Sequence, residues 1–152
     1  METVRRRGAV IALLLVTLTL GGVAPPALAS RAADDRRSMT QLTNHSRETH
    51  DVRRARIALT ISELARRHSL AMARRGYLFH TDNPERVYLD GKTWHVWGEN
   101  VGVTGGGLAD LEQAFMASAP HRANILDQRF RRVAIGVVRA DGLVWVTVFF
   151  WG

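Results

Sequence analysis

Three side chains that could do acid–base or metal chemistry occur along the second half of the chain: His80, Glu99 and His121. Imidazole titrates near neutral pH and binds transition metals, and a carboxylate can act as a base or as a ligand. Each residue lies just outside a predicted helix or strand, where scaffolds commonly carry functional groups. Their separations of 19 and 22 residues match no local metal motif, so only the fold could bring them into one site.

His121 is the residue whose role the sequence leaves most open. It follows Pro120 in the stretch ASAPHRANIL, at the corner after a predicted helix. A histidine at such a corner could cap a helix, pack in the core, bind a metal or act as a general base. Ser118, three residues earlier, could meet it as a nucleophile, but such a pair needs a third, orienting group. Asn124 is expected to satisfy backbone groups of this corner.

The other candidates for catalytic chemistry are absent from the sequence or have simpler explanations. The glycines at 105–107 are not followed by the lysine of a phosphate-binding loop, and the sequence has neither an HExxH zinc motif nor a GxSxG nucleophile elbow. His68 lies on the apolar face of a predicted helix, where we expect a packed, hydrogen-bonded core histidine. His45, His50 and His95 lie in polar or loop segments and are expected to be solvated.

The helices that must position these residues can be predicted from apolar periodicity. The pattern turns helical from Met39, and a clearer helix spans residues 54–75. Gly76 is a natural end for this second helix. One face of the second helix carries Ile61, Leu64, Ala65, His68 and Met72, so this face is expected to be buried.

The rest of the chain alternates between turn signals and short regular elements. Residues 77–94 are expected to form a loop and residues 95–104 a short strand, and a third helix at 108–118 is expected to end at Pro120. Residues 131–152 predict a β-hairpin that turns at Asp141-Gly142. The order helix, helix, strand, helix, strand, strand predicts an α+β domain, with helices packed on a small, mostly antiparallel sheet.

The N-terminal segment has the layout of a secretory signal peptide over residues 1–29. An arginine cluster precedes an apolar run from Ala9 to Leu20, and a small-x-small cleavage site closes the segment. A membrane anchor is the alternative, but the run of about a dozen apolar residues is shorter than the roughly twenty that span a bilayer. We therefore expect a secreted protein with no stable transmembrane anchor, a flexible leader at 30–38 and one folded domain at 39–152.

The composition gives clues to the partners of the protein. The formal net charge is +7, and Lys92 is the only lysine among 21 basic residues. A secreted basic protein tends to adhere to anionic surfaces such as cell-envelope polymers or lipid head groups. The alternative explanation for the many arginines is a GC-rich genome, whose codons encode basic residues mainly as arginine. Nucleic acid is not expected as a partner, because the leader predicts export and no basic-aromatic binding motif is present.

Four stretches of the chain carry a family resemblance: LARRHSLAMARRGYLFH, WGENVGV, AFMASAPHRANIL, and FRRVAIGVV with WVTVFF. In this order they resemble the CAP superfamily, the SCP domain shared by cysteine-rich secretory proteins, antigen 5 and plant pathogenesis-related proteins. The chain has no cysteine, and in this respect it resembles the bacterial secreted branch of the superfamily. The resemblance covers about residues 39–152 and implies a three-layer α-β-α sandwich with a central cleft.

The resemblance also implies a site. In that family the cleft holds two histidines and two glutamates, and the histidines can bind a divalent metal such as zinc. His80 and His121 match the two histidines, and Glu99 matches the glutamate of the G-E-N motif. The second glutamate ends a W-x-x-E stretch, which is Phe115 to Ser118 here, so Ser118 replaces that carboxylate. A hydrolase that needs two acid–base groups would therefore lack one of them.

The function implied by the resemblance is that of a binding or interaction module at the cell envelope, with a cleft able to bind a divalent metal. Besides a fold kept for its stability with a vestigial cleft, two functional alternatives stay open. One is a metal-assisted hydrolase acting on peptides or on the cell wall, with Glu99 as general base, although two histidines are few ligands for a catalytic zinc. The other is a secreted carrier of a lipid or sterol.

Overall fold

The structure, a computed structural model, describes residues 26–152, so the predicted signal peptide lies outside it except for residues 26–29. The helices are α1 (Pro26–Glu48), α2 (Leu59–Arg75), α3 (Pro84–Leu89), α4 (Leu108–Ala117) and α5 (Ala119–Leu126). The strands are β1 (Arg56–Ile57), β2 (Trp97–Thr104), β3 (Arg132–Ala140) and β4 (Leu143–Trp151).

The strands form one sheet in the order β1-β3-β4-β2. β4 pairs antiparallel with both β2 and β3, and the short β1 pairs parallel with β3. α2 packs on one face of the sheet, whereas α1, α4 and α5 pack on the other. This arrangement confirms the predicted α+β class and the three-layer sandwich. β2 forms one edge of the sheet, and the candidate site lies along it.

The β3–β4 hairpin turns at Asp141 and Gly142, as the sequence predicts. Both residues have positive φ, 50° and 75°, which a two-residue type I′ turn requires. The turn pairs Ala140 with Leu143, and this register decides which face of the sheet each side chain reaches. In β4, the residues Val144, Val146, Val148 and Phe150 pack with α1 and α4, and the residues Trp145, Phe149 and Trp151 pack on the α2 side.

The boundaries of α1 and α2 differ from those predicted. Residues 30–38, predicted as a flexible leader, are helical and belong to α1. The segment has neither glycine nor proline and is rich in alanine and arginine, which favour a helix. It is also held by Asp35, which accepts hydrogen bonds of 2.8 and 2.9 Å from Arg139 in β3. Conversely, residues 54–58 are not helical, because β1 pairs with β3 there.

Two prolines lie in the first turns of helices that the sequence analysis did not predict. Pro84 opens α3 within the predicted loop, and Pro120 lies in the first turn of α5. Proline suits a first turn, because the N–H that it lacks has no partner within the helix. α4 has already ended at Ala117, so Pro120 does not end it. His121 therefore lies on a helix and not at an irregular corner.

A buried carboxyl group joins α1 to α4. Glu112 in α4 is 5% exposed, and it accepts hydrogen bonds from Ser46 Oγ at 2.7 Å and Thr43 Oγ1 at 3.1 Å. Burial raises the pKa of Glu112, and the two hydroxyl donors oppose this shift only in part. No basic side chain within residues 26–152 forms a salt bridge with it. Its negative charge is therefore a cost to the folded state.

We expect Glu112→Gln to stabilise the domain at neutral pH by on the order of 1 kcal/mol, a rise of about 4 °C in Tm. Because the folded-state pKa is raised, the stabilising contribution of Glu112 is full below the unfolded pKa, about 4.3, and is lost as pH rises through the folded value. The advantage of the variant should therefore shrink on acidification, as thermal unfolding at several pH values would show.

Glu63→Gln is the matched control for this prediction. Arg66 donates to the half-exposed Glu63 and lowers its pKa, so its neutralisation should bring no gain at neutral pH. A Glu112→Gln variant less stable than the parent at neutral pH would contradict the assigned cost of the buried charge.

Candidate functional site

Glu99 is the buried centre of the candidate site. It lies in β2 on the sheet face that packs against α2, and its side chain is only 1% exposed. Its Oε1 accepts hydrogen bonds from His80 Nδ1 and from the backbone N–H of Thr81, both at 2.9 Å. Its Oε2 accepts from Thr81 Oγ1 at 2.6 Å and from Tyr88 OH at 3.3 Å. Tyr88 OH also lies 2.8 Å from Thr81 Oγ1, so its one proton has two acceptors, and the carboxylate is held by His80 and by both donors of Thr81.

The contact with Glu99 decides the tautomer of His80. A carboxylate can only accept a hydrogen bond, so Nδ1 of His80 must carry the proton. The neutral ring then has its lone pair on Nε2, which is free to accept a proton or to bind a metal. The side chain of His80 is 65% exposed, so this nitrogen is accessible. A histidine oriented by a carboxylate in this way is the usual arrangement around protein-bound metals.

Thr81 and Tyr88 hold Glu99 in place, and the sequence analysis missed both. Tyr88 is on α3, is 2% exposed and packs against Phe149 with ring centroids 4.3 Å apart. Burial raises the pKa of Tyr88 well above its usual value, so the hydroxyl stays a donor. These residues lie in the segment predicted as a loop, where Asn83-Pro84 marks the start of α3.

His121 lies on α5. Its Nδ1 lies 2.8 Å from Ser118 Oγ, and its ring lies beside Phe115 with centroids 5.0 Å apart. Burial and, to a smaller extent, the charge of His80 lower the pKa of His121. The ring is therefore neutral at neutral pH. Ser118, in the position of the family's second glutamate, contributes a hydroxyl and no charge.

Two amide side chains attach α5 to β2 and so fix the position of His121. Asn100 Nδ2 donates to the backbone oxygen of His121 at 3.0 Å. Asn124 Nδ2 donates to Asn100 Oδ1 at 2.8 Å and to the Glu99 backbone oxygen at 3.3 Å. The close approach also requires Gly98, because a Cβ there would lie 2.6 Å from Asn124 Oδ1. Asn124 thus satisfies backbone groups, as predicted, but those of β2.

A cavity of about 370 Å³ opens beside His80. It is bounded by Pro84 and by Trp97, whose ring is partly exposed. His121 is not among the residues that line it. The remaining lining residues are Thr81, Gly98, Glu99 and Asn124.

His68 lies behind this site and is packed, as predicted. Its Nδ1 is 3.1 Å from Thr147 Oγ1, which in turn is 2.9 Å from Ser69 Oγ, and its ring meets the edge of Phe79. Burial lowers the pKa of His68, and Glu99 opposes this shift. The neutral ring therefore joins α2 to β4. The histidines expected to be solvated, His45, His50 and His95, are all exposed.

His80 and His121 are the candidate ligands for a metal held by two imidazoles. Across residues 26–152, no group of three or more His, Cys, Asp or Glu side chains is arranged to hold a metal ion. His80 and His121 each use Nδ1 for a protein contact, which leaves two Nε2 atoms. Glu99 orients His80 and is buried, so water or a partner would supply any further ligands.

These features define a class: an α-β-α sandwich domain with a histidine–carboxylate site along its edge strand. Residues 40–150 match the model of the family described as the cysteine-rich secretory protein family, CAP. The chain belongs to this family, which confirms the resemblance seen in the sequence.

One curated relative is a bacterial protein. YkwD of Bacillus subtilis strain 168, described as an uncharacterized protein, is 27% identical over 118 residues, which are 74% of this chain and 46% of the relative. The chain therefore spans less than half the length of this curated relative.

Solved structures show the same fold. An extracellular protein containing an SCP domain from Bacillus anthracis matches with a TM-score of 0.70 and 22% identity, over 86% of this chain and 44% of that one. A cysteine-rich secretory protein from Staphylococcus aureus matches with a TM-score of 0.65 and 21% identity, over 80% of this chain and 39% of that one.

Within residues 26–152, no helix combines the length and the apolar character needed to cross a membrane.

Proposed function

We propose that this CAP domain acts outside the cytoplasm as a binding module whose cleft holds one divalent metal ion, zinc in preference, through Nε2 of His80 and Nε2 of His121. The observation that carries the proposal is the 2.9 Å hydrogen bond from His80 Nδ1 to Glu99 Oε1, because it fixes the tautomer that leaves Nε2 free. Imidazole nitrogen is a ligand that suits zinc. A bound zinc ion would supply a Lewis acid to which an oxygen of a partner molecule could bind.

The surroundings of the two histidines support binding rather than hydrolysis. A general base needs a lone pair that can take up a proton from water. Glu99 is 1% exposed and is held by hydrogen bonds from His80 and Thr81, so water has no access to its carboxylate. Ser118 carries no charge at neutral pH and cannot replace the missing carboxylate. We therefore assign Glu99 to orienting His80.

The location outside the cytoplasm has two supports. Residues 1–29 have the composition of a signal peptide. Proteins of the same fold are described as extracellular in Bacillus anthracis and as secretory in Staphylococcus aureus. A metal-dependent contact with an oxygen-rich component of the cell envelope is the role that this site would serve there.

Zinc calorimetry on the purified protein, prepared without a polyhistidine tag, tests the proposal. We expect one zinc site at neutral pH, and His80→Ala and His121→Ala should each weaken it by more than about 100-fold, because loss of even an outer contact costs about 10–100-fold. Binding should also weaken towards about pH 5.5, because zinc competes with protons for imidazole.

His45→Ala is the matched control, since it removes an exposed histidine of α1 that is not part of the site. It should bind zinc like the parent protein. If His45→Ala loses as much affinity as His80→Ala, or if both cleft variants bind as tightly as the parent, the zinc site is not in this cleft.

A further inference from the structure

Five exposed basic side chains cluster at the sheet edge opposite the cleft. None of them forms a salt bridge within the part of the chain that the structure describes. Other arginines nearby are neutralised, since Arg54 pairs with Glu48 and Arg129 with Asp127. The five, which we call the β1-edge basic surface, are Arg53, Arg56, Lys92, Arg131 and Arg132.

Backbone contacts show that the arginines of this surface are neighbours. The N–H of Arg56 donates to the carbonyl of Arg131 at 2.9 Å, and Arg56 is the register partner of Arg132 across β1 and β3. Arg47 donates both to the carbonyl of Arg53 and to that of Phe130, which joins the two segments from inside. The four arginines therefore lie on neighbouring segments at the β1 edge of the sheet.

Exposed aliphatic side chains lie within the same surface. Leu59, at the start of α2, is 61% exposed, and Ile57 in β1 is 37% exposed. Leu59 lines a depression of about 430 Å³ together with Lys92 and Arg132, so the leucine and two of the cations face a common space. No carboxylate side chain is among the residues that line this depression.

We propose that the β1-edge basic surface docks on an anionic phospholipid bilayer. The arginines and Lys92 would lie at the level of the phosphates, and Leu59 and Ile57 would enter the interfacial region. Charge complementarity alone would fit a soluble polyanion equally well. The two exposed aliphatic side chains favour the bilayer, because they gain free energy only where apolar lipid is available.

The position of the surface keeps the cleft accessible. β1 and β2 are the two outer strands of the four-stranded sheet, three strand spacings or roughly 14 Å apart. A bilayer in contact with the β1 edge would therefore leave the histidine site on the far edge open to a partner. The proposal does not depend on metal binding, since no cleft residue belongs to the basic surface.

Sedimentation with vesicles tests the proposal on the purified full chain. We expect binding to phosphatidylglycerol vesicles at low salt and little binding to phosphatidylcholine alone. The triple variant Arg56→Gln, Lys92→Gln and Arg132→Gln should bind about 100-fold more weakly, at about fivefold per cation. Because each variant is compared with the parent chain, any contribution of residues 1–29 is the same in all.

Two matched variants distinguish binding by this surface from attraction by net charge and from non-specific hydrophobic adsorption. Arg67→Gln, Arg74→Gln and Arg86→Gln together remove the same charge from exposed positions elsewhere and should keep most of the binding. Leu59→Ser should weaken binding several-fold, because a partly inserted leucine side chain loses its contact with apolar lipid. Leu143→Ser changes an exposed leucine at the end of the hairpin and should leave vesicle binding unchanged.

Three results would overturn the proposal. An equal loss in the two triple variants would indicate that net charge alone attracts the protein. Unchanged binding of Leu59→Ser, together with displacement by soluble polyphosphate, would identify a polyanion surface instead of a bilayer surface. Equal binding to phosphatidylcholine vesicles would remove the role of charge. Circular dichroism of each variant establishes that the fold is retained.

Discussion

The Arg47→Met variant is expected to lose more than about 4 kcal/mol of unfolding free energy, which is most of the stability of a domain with about 5–15 kcal/mol in total. Arg47, in α1, is 0% exposed. Burial lowers its pKa, and Asp127 opposes this shift. A single substitution of an internal cation should therefore be one of the most damaging that the domain can undergo.

The reason lies in the backbone groups that Arg47 satisfies. Its guanidinium donates to four carbonyl oxygens, at 2.8 Å for Arg53, 2.6 Å for Ile125, 3.2 Å for Asp127 and 3.0 Å for Phe130. Methionine fills a similar volume but donates nothing, and each buried carbonyl left unsatisfied costs about 1–3 kcal/mol. Because two of these carbonyls lie at the end of α5, the position of His121 depends on the same contact.

Urea unfolding followed by circular dichroism measures the loss. Arg54→Met is the control, because Arg54 is exposed and forms only a surface ion pair with Glu48, worth about 0–1 kcal/mol. The unfolding free energy of Arg47→Lys should lie between those of Arg47→Met and Arg54→Met, since an ammonium group cannot reach four carbonyls at once. An Arg47→Met protein within about 1 kcal/mol of the parent would show that the carbonyls find other donors.

The parts of the fold that local chemistry determines could be predicted from the sequence. The hairpin at Asp141-Gly142 depends on two adjacent residues that tolerate positive φ, and α2 depends on apolar spacing followed by Gly76. α5 was missed because its eight residues have no strong apolar face and a proline lies in the first turn. Its position comes from tertiary bonds to Arg47 and Asn100, which have no local signature.

In the candidate site, too, some features follow from the local sequence and others from tertiary packing. His80, Glu99 and His121 could be proposed from residue type and family resemblance, and the structure joins His80 to Glu99 directly. Among the described residues, it forms no group of three or more His, Cys, Asp or Glu side chains that could hold a metal. Thr81 and Tyr88 could not be predicted, because their role depends on where α3 packs against β4. Orienting contacts of this kind follow from tertiary packing and not from sequence spacing.

The Glu99→Gln variant is expected to keep the fold and to bind zinc about 10–100-fold more weakly than the parent protein. Glutamine has the same shape, so its Oε1 can still accept from His80 Nδ1 and from the Thr81 N–H. Its Nε2 would face the hydroxyls of Thr81 and Tyr88, which can rotate to accept a hydrogen bond. Stability should therefore change by no more than about 1–2 kcal/mol.

What the variant removes is the negative charge next to His80. A carboxylate that accepts the Nδ1 proton raises the basicity of Nε2 and strengthens its bond to a metal, whereas a neutral amide does so only weakly. Glu48→Gln is the control, since it removes one negative charge from an exposed position on α1 and should leave zinc affinity unchanged. Calorimetry on both variants, with thermal unfolding as the check on the fold, measures the effect. If Glu99→Gln binds zinc as tightly as the parent while His80→Ala does not, His80 is a ligand that needs no orienting carboxylate, and the role assigned to Glu99 is wrong.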